Sequence, residues 1–259
     1  TTIPTATTTT TTTATPTATT TIAPTFTPTP TAAPTSVSTS YTALVSDGTP
    51  LPDIPVSSES NFEYRIDEAG NAVITKYTGS DTICRVPETL DGRTVVSIEG
   101  NSIISSTEFM RRESAFESGT NLQYVLLPNT LLTIGSFAFD ECDSLIGISL
   151  PKSLISIGDN AFRECTSLTN ITIPDAVAYI SGSAFAGCTS LQSVALPKNL
   201  EILAWSLFSD CAALSSLTCP DSVNYIGPDA FVNCTSLEKI ALPSDLERIG
   251  LAWRKSRNV

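Results

Sequence analysis

A period of 23 residues in the second half of the chain constrains its fold more than any other feature. Proline recurs six times at this interval, and Phe, Cys and Leu each recur five times at fixed offsets from it. Four columns with one period indicate a repeat architecture. The prolines are Pro128, Pro151, Pro174, Pro197, Pro220 and Pro243.

One unit shows how each repeat is expected to fold. Residues 168–173 alternate between apolar and polar side chains with β-branched residues, which is typical of a short strand. Pro174 ends the strand because it has no amide to donate to a ladder. Residues 177–180 predict a second short extended segment, and residues 184–188 a helical turn that returns the chain.

A 23-residue unit cannot bury its own apolar side, but stacked copies can. We therefore predict a repeat solenoid of short parallel strands, rising about 5 Å per unit. Its cysteines are expected to be buried, reduced thiols, because identical side chains that point in parallel rarely reach disulfide torsions. The predicted core columns are Phe139, Phe162, Phe185, Phe208 and Phe231, with Cys142, Cys165, Cys188, Cys211 and Cys234.

The N-terminal residues have a different composition. Residues 1–46 carry no charge, and 22 of the first 42 residues are Thr. Such a stretch buries too little apolar surface to offset the entropy of ordering it. We predict a disordered Thr/Pro-rich linker or stalk over residues 1–58.

The repeat domain is predicted to span residues 59–250. Residues 59–80 alternate on both sides of a turn signal, which predicts a hairpin that caps the solenoid. Pro87 precedes Pro128 by 41 residues, 18 more than one unit, and this surplus is expected as an insertion at about residues 99–113. Residues 251–259 are expected to be a frayed basic tail, because arginines replace the Phe and Cys of the template there.

Charge and composition exclude several classes of function. The net charge of −12 disfavours a nucleic-acid partner, which requires clustered Lys and Arg. The chain has no His, which removes Ser-His-Asp and Cys-His catalysis and all His-ligated metal sites. The sequence contains no run of 18 apolar residues, so we expect no membrane insertion in this stretch. We expect no catalytic residue, no metal and no cofactor.

The repeat I-x-x-I-G-x-x-A-F-x-x-C-x-S-L-x-x-I-x-I-P resembles the BspA-like leucine-rich repeats over about residues 62–250. The segment 77–98 is similar to that family's first unit. The resemblance implies a right-handed leucine-rich-repeat coil. It also implies a secreted or cell-surface protein associated with adhesion, including adhesion to fibronectin and fibrinogen.

The exposed positions of the strands form the predicted binding face. In L-x-x-I-x-I the three x residues should point away from the core, and most of them are small, polar and uncharged. Tyr124, Leu126 and Ile146 form an apolar cluster on this face, with Ser149 and Thr172 beside it. The cluster is either an anchor for a partner or a patch that the neighbouring insertion covers.

These observations predict an extracellular or cell-surface binding module, not an enzyme. It would attach a cell to a protein or glycan, such as a component of the host extracellular matrix, through the exposed strand face. Two alternatives are a passive spacer and a non-catalytic accessory module of a larger secreted enzyme. The oligomeric state stays open.

Overall fold

The computed structural model describes residues 54–103, 111–116 and 121–250, with the side chains of 101–112 left out. The predicted Thr/Pro tract up to residue 53 and the predicted tail 251–259 lie outside the described residues. The described part that follows the tract is a β-solenoid of about seven coils with almost no helix, as the period predicts.

Nineteen strands and one short 3-10 helix make up the described part. The helix is Glu59–Asn61. The strands are β1 (Phe62–Ile66), β2 (Ala72–Tyr77), β3 (Ile83–Arg85), β4 (Thr89–Leu90), β5 (Arg93–Ile98), β6 (Asn101–Ile103), β7 (Arg111–Glu113), β8 (Tyr124–Leu126), β9 (Thr133–Ile134), β10 (Gly147–Ser149), β11 (Ser156–Ile157), β12 (Asn170–Thr172), β13 (Tyr179–Ile180), β14 (Ser193–Ala195), β15 (Ile202–Leu203), β16 (Ser216–Thr218), β17 (Tyr225–Ile226), β18 (Lys239–Ala241) and β19 (Arg248–Ile249).

Each repeat contributes one strand to each of two parallel ladders. The first strands pair in the orders β10-β8-β3 and β12-β14-β16-β18, and the second strands pair from β5 through β9 and β11 to β13 and in the order β15-β17-β19. Between repeats the paired residues are 23 apart, for example Ser156 and Tyr179. Identical positions of successive coils therefore lie side by side, which turns a sequence column into a spatial column.

An aromatic column runs through the core. Neighbouring Phe rings from Phe116 to Phe231 stack with centroids 4.7–5.7 Å apart. The column continues toward the N-terminus through Tyr77, whose ring lies 5.1 Å from that of Phe116, and ends at Phe62. The predicted Phe and Cys core residues are buried, except that Phe231 in the last described coil is only partly buried.

The segment that contains Phe and Cys is not the predicted helical turn. It consists of consecutive turns in which the amide of each Cys donates to the carbonyl of the Phe three residues earlier, as Cys188 does to Phe185 at 3.3 Å. Two residues per coil have positive φ, such as Asn160 at 55° and Glu164 at 58°. A right-handed helix cannot continue through these left-handed residues, so the chain bends back to the next strand.

The N-terminal end contains the predicted hairpin. Strands β1 and β2 pair antiparallel across the turn, and β2 then pairs parallel with β5, which joins the hairpin to the second-strand ladder. Tyr77 at the end of β2 occupies the aromatic column. Its hydroxyl donates to Asp81 at 2.7 Å, and burial together with this bond raises the pKa of Tyr77.

The register divides the 18 surplus residues between two places, whereas the sequence suggested one insertion. Pro87 and Ile98 occupy the places of Pro128 and Ile134 in the next coil. Ile98 follows Pro87 by eleven positions, whereas Ile134 follows Pro128 by six, so five surplus residues lie in the β4–β5 hairpin. The other thirteen lie between Ile98 and Phe116, where β6 and β7 form an antiparallel pair. Residues 104–110 of this segment are outside the described residues.

The aromatic column predicts a graded response to truncation. Phe185 is fully buried between two rings, whereas Phe231 is only partly buried and stacks on Phe208 alone among the column rings. Phe185→Ala should lower the free energy of unfolding by about 3–5 kcal/mol, the range for a buried Phe that leaves a cavity. Phe231→Ala should cost less than half as much. Urea unfolding followed by circular dichroism measures both, and equal costs would contradict a continuous packed column.

Candidate binding faces and buried polar contacts

The first-strand face consists of the outward side chains of β8, β10, β12, β14, β16 and β18. From β12 onward most of its side chains are small and exposed, and Lys239 is its only formal charge among the strand residues. These exposed residues are Thr172, Ser193, Ala195, Ser216, Thr218, Lys239 and Ala241. The face offers hydroxyls and methyl groups but no pair of carboxylates for acid–base chemistry.

The five predicted binding residues gather at the N-terminal end of this face. The register sets Leu126 beside Ser149 and Tyr124 beside Gly147, and the amide of Ile146 donates to the carbonyl of Gln123 at 2.8 Å. Thr172 is exposed, but the other four are half-buried. The apolar cluster is therefore less accessible than a freely exposed anchor, and whether a partner contacts it stays a prediction.

The second-strand face exposes larger apolar side chains than the first, which the sequence reasoning did not anticipate. This face is defined here by Leu132, Ile155, Tyr179, Ile202 and Trp205, of which Tyr179 is 72% exposed and Trp205 is 51% exposed. A signal for it was present in the sequence, because the outward position of this strand changes from Thr133 and Ser156 to Tyr, Ile and Tyr in later repeats. The prediction considered outward residues of the first strand alone.

A groove of about 340 Å³ lies next to the second-strand face. Its lining includes Gly135 and Gly158, the hydroxyl residues Ser136, Ser156 and Ser181, and Glu99 at the N-terminal side. The glycines are required where the coils approach closely, because a Cβ atom on Gly158 would lie 2.6 Å from the carbonyl carbon of Gly135. We name this feature the second-strand groove.

A buried ion pair connects two coils at the turn segment. Arg163 Nε lies 2.7 Å from Asp140 Oδ1 as an ion pair, Nη2 donates to Asp140 Oδ2 at 3.1 Å, and the same guanidinium contacts Glu141. Burial lowers the pKa of Arg163, but the hydrogen bonds to Asp140 and Glu141 outweigh burial and raise it. Only 4% of the Asp140 side chain is exposed, whereas 55% of the Glu141 side chain is exposed.

An exposed ion pair also connects successive coils. Asp175 and Lys198 follow the repeat Pro in two successive coils, and Lys198 Nζ lies 3.1 Å from Asp175 Oδ2. The hydrogen bond from Lys198 lowers the pKa of Asp175. Both side chains are more than half exposed, so this pair contributes little to stability.

All seven cysteines are free and buried, which confirms their prediction as core thiols. In the repeat column each thiol donates to the carbonyl oxygen of the Phe 26 residues earlier, as Cys188 does to Phe162 at 3.1 Å. A thiol satisfies this carbonyl and still packs as a small apolar side chain. Burial raises the pKa of Cys84, Cys188 and Cys234 to about 12.

The described residues contain no group of three His, Cys, Asp or Glu side chains placed to hold a metal ion. No helix in the same part of the chain has the length and apolar character to cross a bilayer.

Comparison with known proteins shows which repeat family the sequence matches. A model of the BspA type leucine rich repeat region matches six copies over residues 156–253. The repeats within residues 156–253 are BspA-type leucine-rich repeats. Leucine-rich repeats of this family are generally protein-interaction modules, on a fold of a non-catalytic kind.

Two solved structures extend the likeness beyond the matched repeats. A T. pallidum leucine-rich repeat protein, TpLRR, is 27% identical with a TM-score of 0.54, and the match covers 71% of this chain and 91% of that protein. A leucine-rich cell surface protein from Faecalibacterium prausnitzii is 30% identical with a TM-score of 0.62, covering 76% of this chain. This chain spans about half of the F. prausnitzii protein, at 51%. No curated protein matches the sequence.

The coil geometry of the matched repeats continues before residue 156. Strands β8 and β10 pair with the same 23-residue step as the matched repeats, and β3 pairs with β8 in the same ladder despite the surplus residues between them. The first-strand and second-strand faces therefore belong to one continuous solenoid.

Loss of the buried Arg163–Asp140 pair should lower the free energy of unfolding more than loss of the exposed Lys198–Asp175 pair. Arg163→Met leaves the buried carboxylate of Asp140 without its guanidinium and should lower the free energy of unfolding by about 2–4 kcal/mol. Lys198→Met removes an exposed partner of Asp175 and should scarcely change it. Urea unfolding of the two variants is the measurement. If Arg163→Met were as mild as Lys198→Met, the buried pair would not stabilise the coil.

The thiol column predicts resistance to alkylation. At pH 8.5 iodoacetamide should label none of the seven cysteines in the folded protein, because all seven side chains are buried. Burial also raises the pKa of thiols such as Cys188, which keeps them protonated at this pH. All seven should react in urea. Mass spectrometry counts the labels, and native labelling of Cys188 at this pH would contradict the packed column.

Proposed function

We propose that this solenoid is an extracellular binding module that attaches a cell surface to a protein of the host matrix. The observation that carries the proposal is the first-strand face. It extends through the ladders β3-β8-β10 and β12-β14-β16-β18, and its exposed side chains from β12 onward are almost uncharged. Such a surface loses little solvation energy when a partner covers it.

The comparisons support an interaction role and a surface location. The repeat family is generally one of protein-interaction modules, and the F. prausnitzii relative is described as a cell surface protein. Within the face, the predicted contact region is the apolar cluster of Tyr124, Leu126 and Ile146, extended by Ser149 and Thr172. Half-buried Tyr and Leu side chains supply contact area with little entropy to lose on binding.

A binding experiment with variants of this face tests the proposal. The full chain would be titrated against immobilised fibronectin, fibrinogen and mucin by biolayer interferometry. We expect saturable binding to at least one of them. The Tyr124→Ala, Leu126→Ala, Ile146→Ala triple variant should weaken it tenfold or more, because these residues supply the apolar contacts.

A double variant that keeps every core side chain tests whether weakened binding comes from the face and not from unfolding. Ser149→Glu with Thr172→Glu places two charges in one column of the face without removing a core side chain, and should weaken binding similarly. Thr189→Glu with Thr235→Glu is the matched control, since both residues are exposed on the turns away from the strands. Circular dichroism checks that every variant stays folded. Absence of binding to all three ligands would favour a spacer or an accessory module of a larger secreted protein.

A further inference from the structure

The second-strand groove and the aromatic side chains beside it carry an inference that goes beyond the proposed function and uses a different face. We propose that they form a binding site for a neutral oligosaccharide. The site would extend from Glu99 along the hydroxyl-lined groove to Trp205.

Trp205 provides a flat aromatic surface that the backbone holds in place. Its indole lies directly on Gly182, where an added Cβ atom would lie 2.0 Å from Trp205 Cε2. The side chain is nevertheless 51% exposed, and Tyr179 on the preceding coil is 72% exposed. Fixed aromatic faces of this kind stack on the C–H faces of pyranose rings, whose partial positive charge complements the ring quadrupole.

The groove supplies polar contacts from successive coils. Ser136, Ser156 and Ser181 come from three successive coils, and within the described part of the chain no side-chain hydrogen bond engages their hydroxyls. The coils are about 4.8 Å apart, so the groove from Glu99 to Ser181 is roughly 14 Å long. It can therefore accommodate a short linear chain of sugars along the stacking axis.

Carboxylates next to the groove determine which ligand charge the site accepts. Asp159 is exposed, follows Gly158, and accepts the amide of Gly182 at 3.0 Å beneath the indole. At the other end Glu99 pairs with Arg65 at 2.7 Å, which balances the charge of this guanidinium. Sugar hydroxyls donate to carboxylates, whereas sulfate and carboxylate groups are repelled by them. The site therefore favours neutral sugars over sialylated or sulfated ones.

The backbone disfavours an extended peptide as the occupant. The amides of the second strands already donate to the preceding coil, as Gly158 does to Ile134 at 2.7 Å and Ser181 to Ile157 at 2.9 Å. A peptide that binds by adding a strand needs an unpaired edge, and β9 and β11 along the groove are paired on both sides. Hydroxyls and an aromatic surface fit the alternating polar and apolar sides of a sugar better than they fit peptide groups.

A glycan array followed by a fluorescence titration tests the proposal. The full chain would be applied to an array of defined neutral, sialylated and sulfated oligosaccharides. The best neutral tetrasaccharide would then be titrated into a Trp253→Phe background, in which Trp205 is the only tryptophan. We expect a saturable change in Trp205 emission, and a loss of affinity of tenfold or more on Tyr179→Ala, measured by the same emission.

Matched variants separate the site from general effects. On the array, Trp205→Ala should lose tenfold or more of the signal, while Trp205→Phe retains part of it because an aromatic face remains. Leu242→Ala, a similarly exposed apolar residue on another part of the solenoid, should bind normally. Circular dichroism confirms folding of each variant.

Three results would overturn the proposal. The first is no saturable binding to any neutral glycan on the array, and the second is binding only to sialylated or sulfated glycans. The third is binding to a glycoprotein that requires Trp205 but survives enzymatic removal of its glycans, which would make the partner a protein. Because Tyr124, Leu126 and Ile146 lie on the other face, their alanine variant should leave glycan binding intact, so the two proposals fail independently.

Discussion

The structure depends on one constraint, which is that successive coils pair in register, with a step of 23 residues from β8 and β9 onward. Parallel ladder bonds hold equivalent backbone positions at strand spacing, and this spacing also brings equivalent side chains into contact. The Phe rings therefore stack one on another, with centroids 5.2 Å apart between Phe139 and Phe162. No single coil has a core of its own, so stability comes from contacts between neighbours.

The same stacking satisfies the polar groups that the core encloses. The Phe carbonyls of the turn segment face inward, and each accepts a hydrogen bond from the Cys thiol of the next coil. Arg163 reaches the preceding coil in a similar way and neutralises Asp140. Since an unpaired buried group costs far more than a paired one, these contacts favour the correct register over a slipped one.

Stacking fixes the inward positions and leaves the outward positions free to vary. The first-strand face has kept small hydroxyl side chains, whereas the second-strand face exposes Tyr179, Ile202 and Trp205 on adjacent coils. Two surfaces of different chemistry thus lie on one scaffold. A module of this kind can hold a protein on one face and a small polar ligand on the other without a change in its core.

The sequence by itself determined the period, the parallel coil and the burial of Cys188 and its equivalents, because identical side chains at a fixed step can be buried only by stacking. Only the tertiary structure decided where each coil turns and what its ends contain. Tyr77 joins the aromatic column although it is out of period with Phe116, and positive φ values replace the expected helical turn. The sequence also did not indicate the second-strand groove. The groove lies where Gly158 lets its backbone approach that of Gly135, and Trp205 folds over Gly182 beyond its end. Both contacts join residues 23 positions apart.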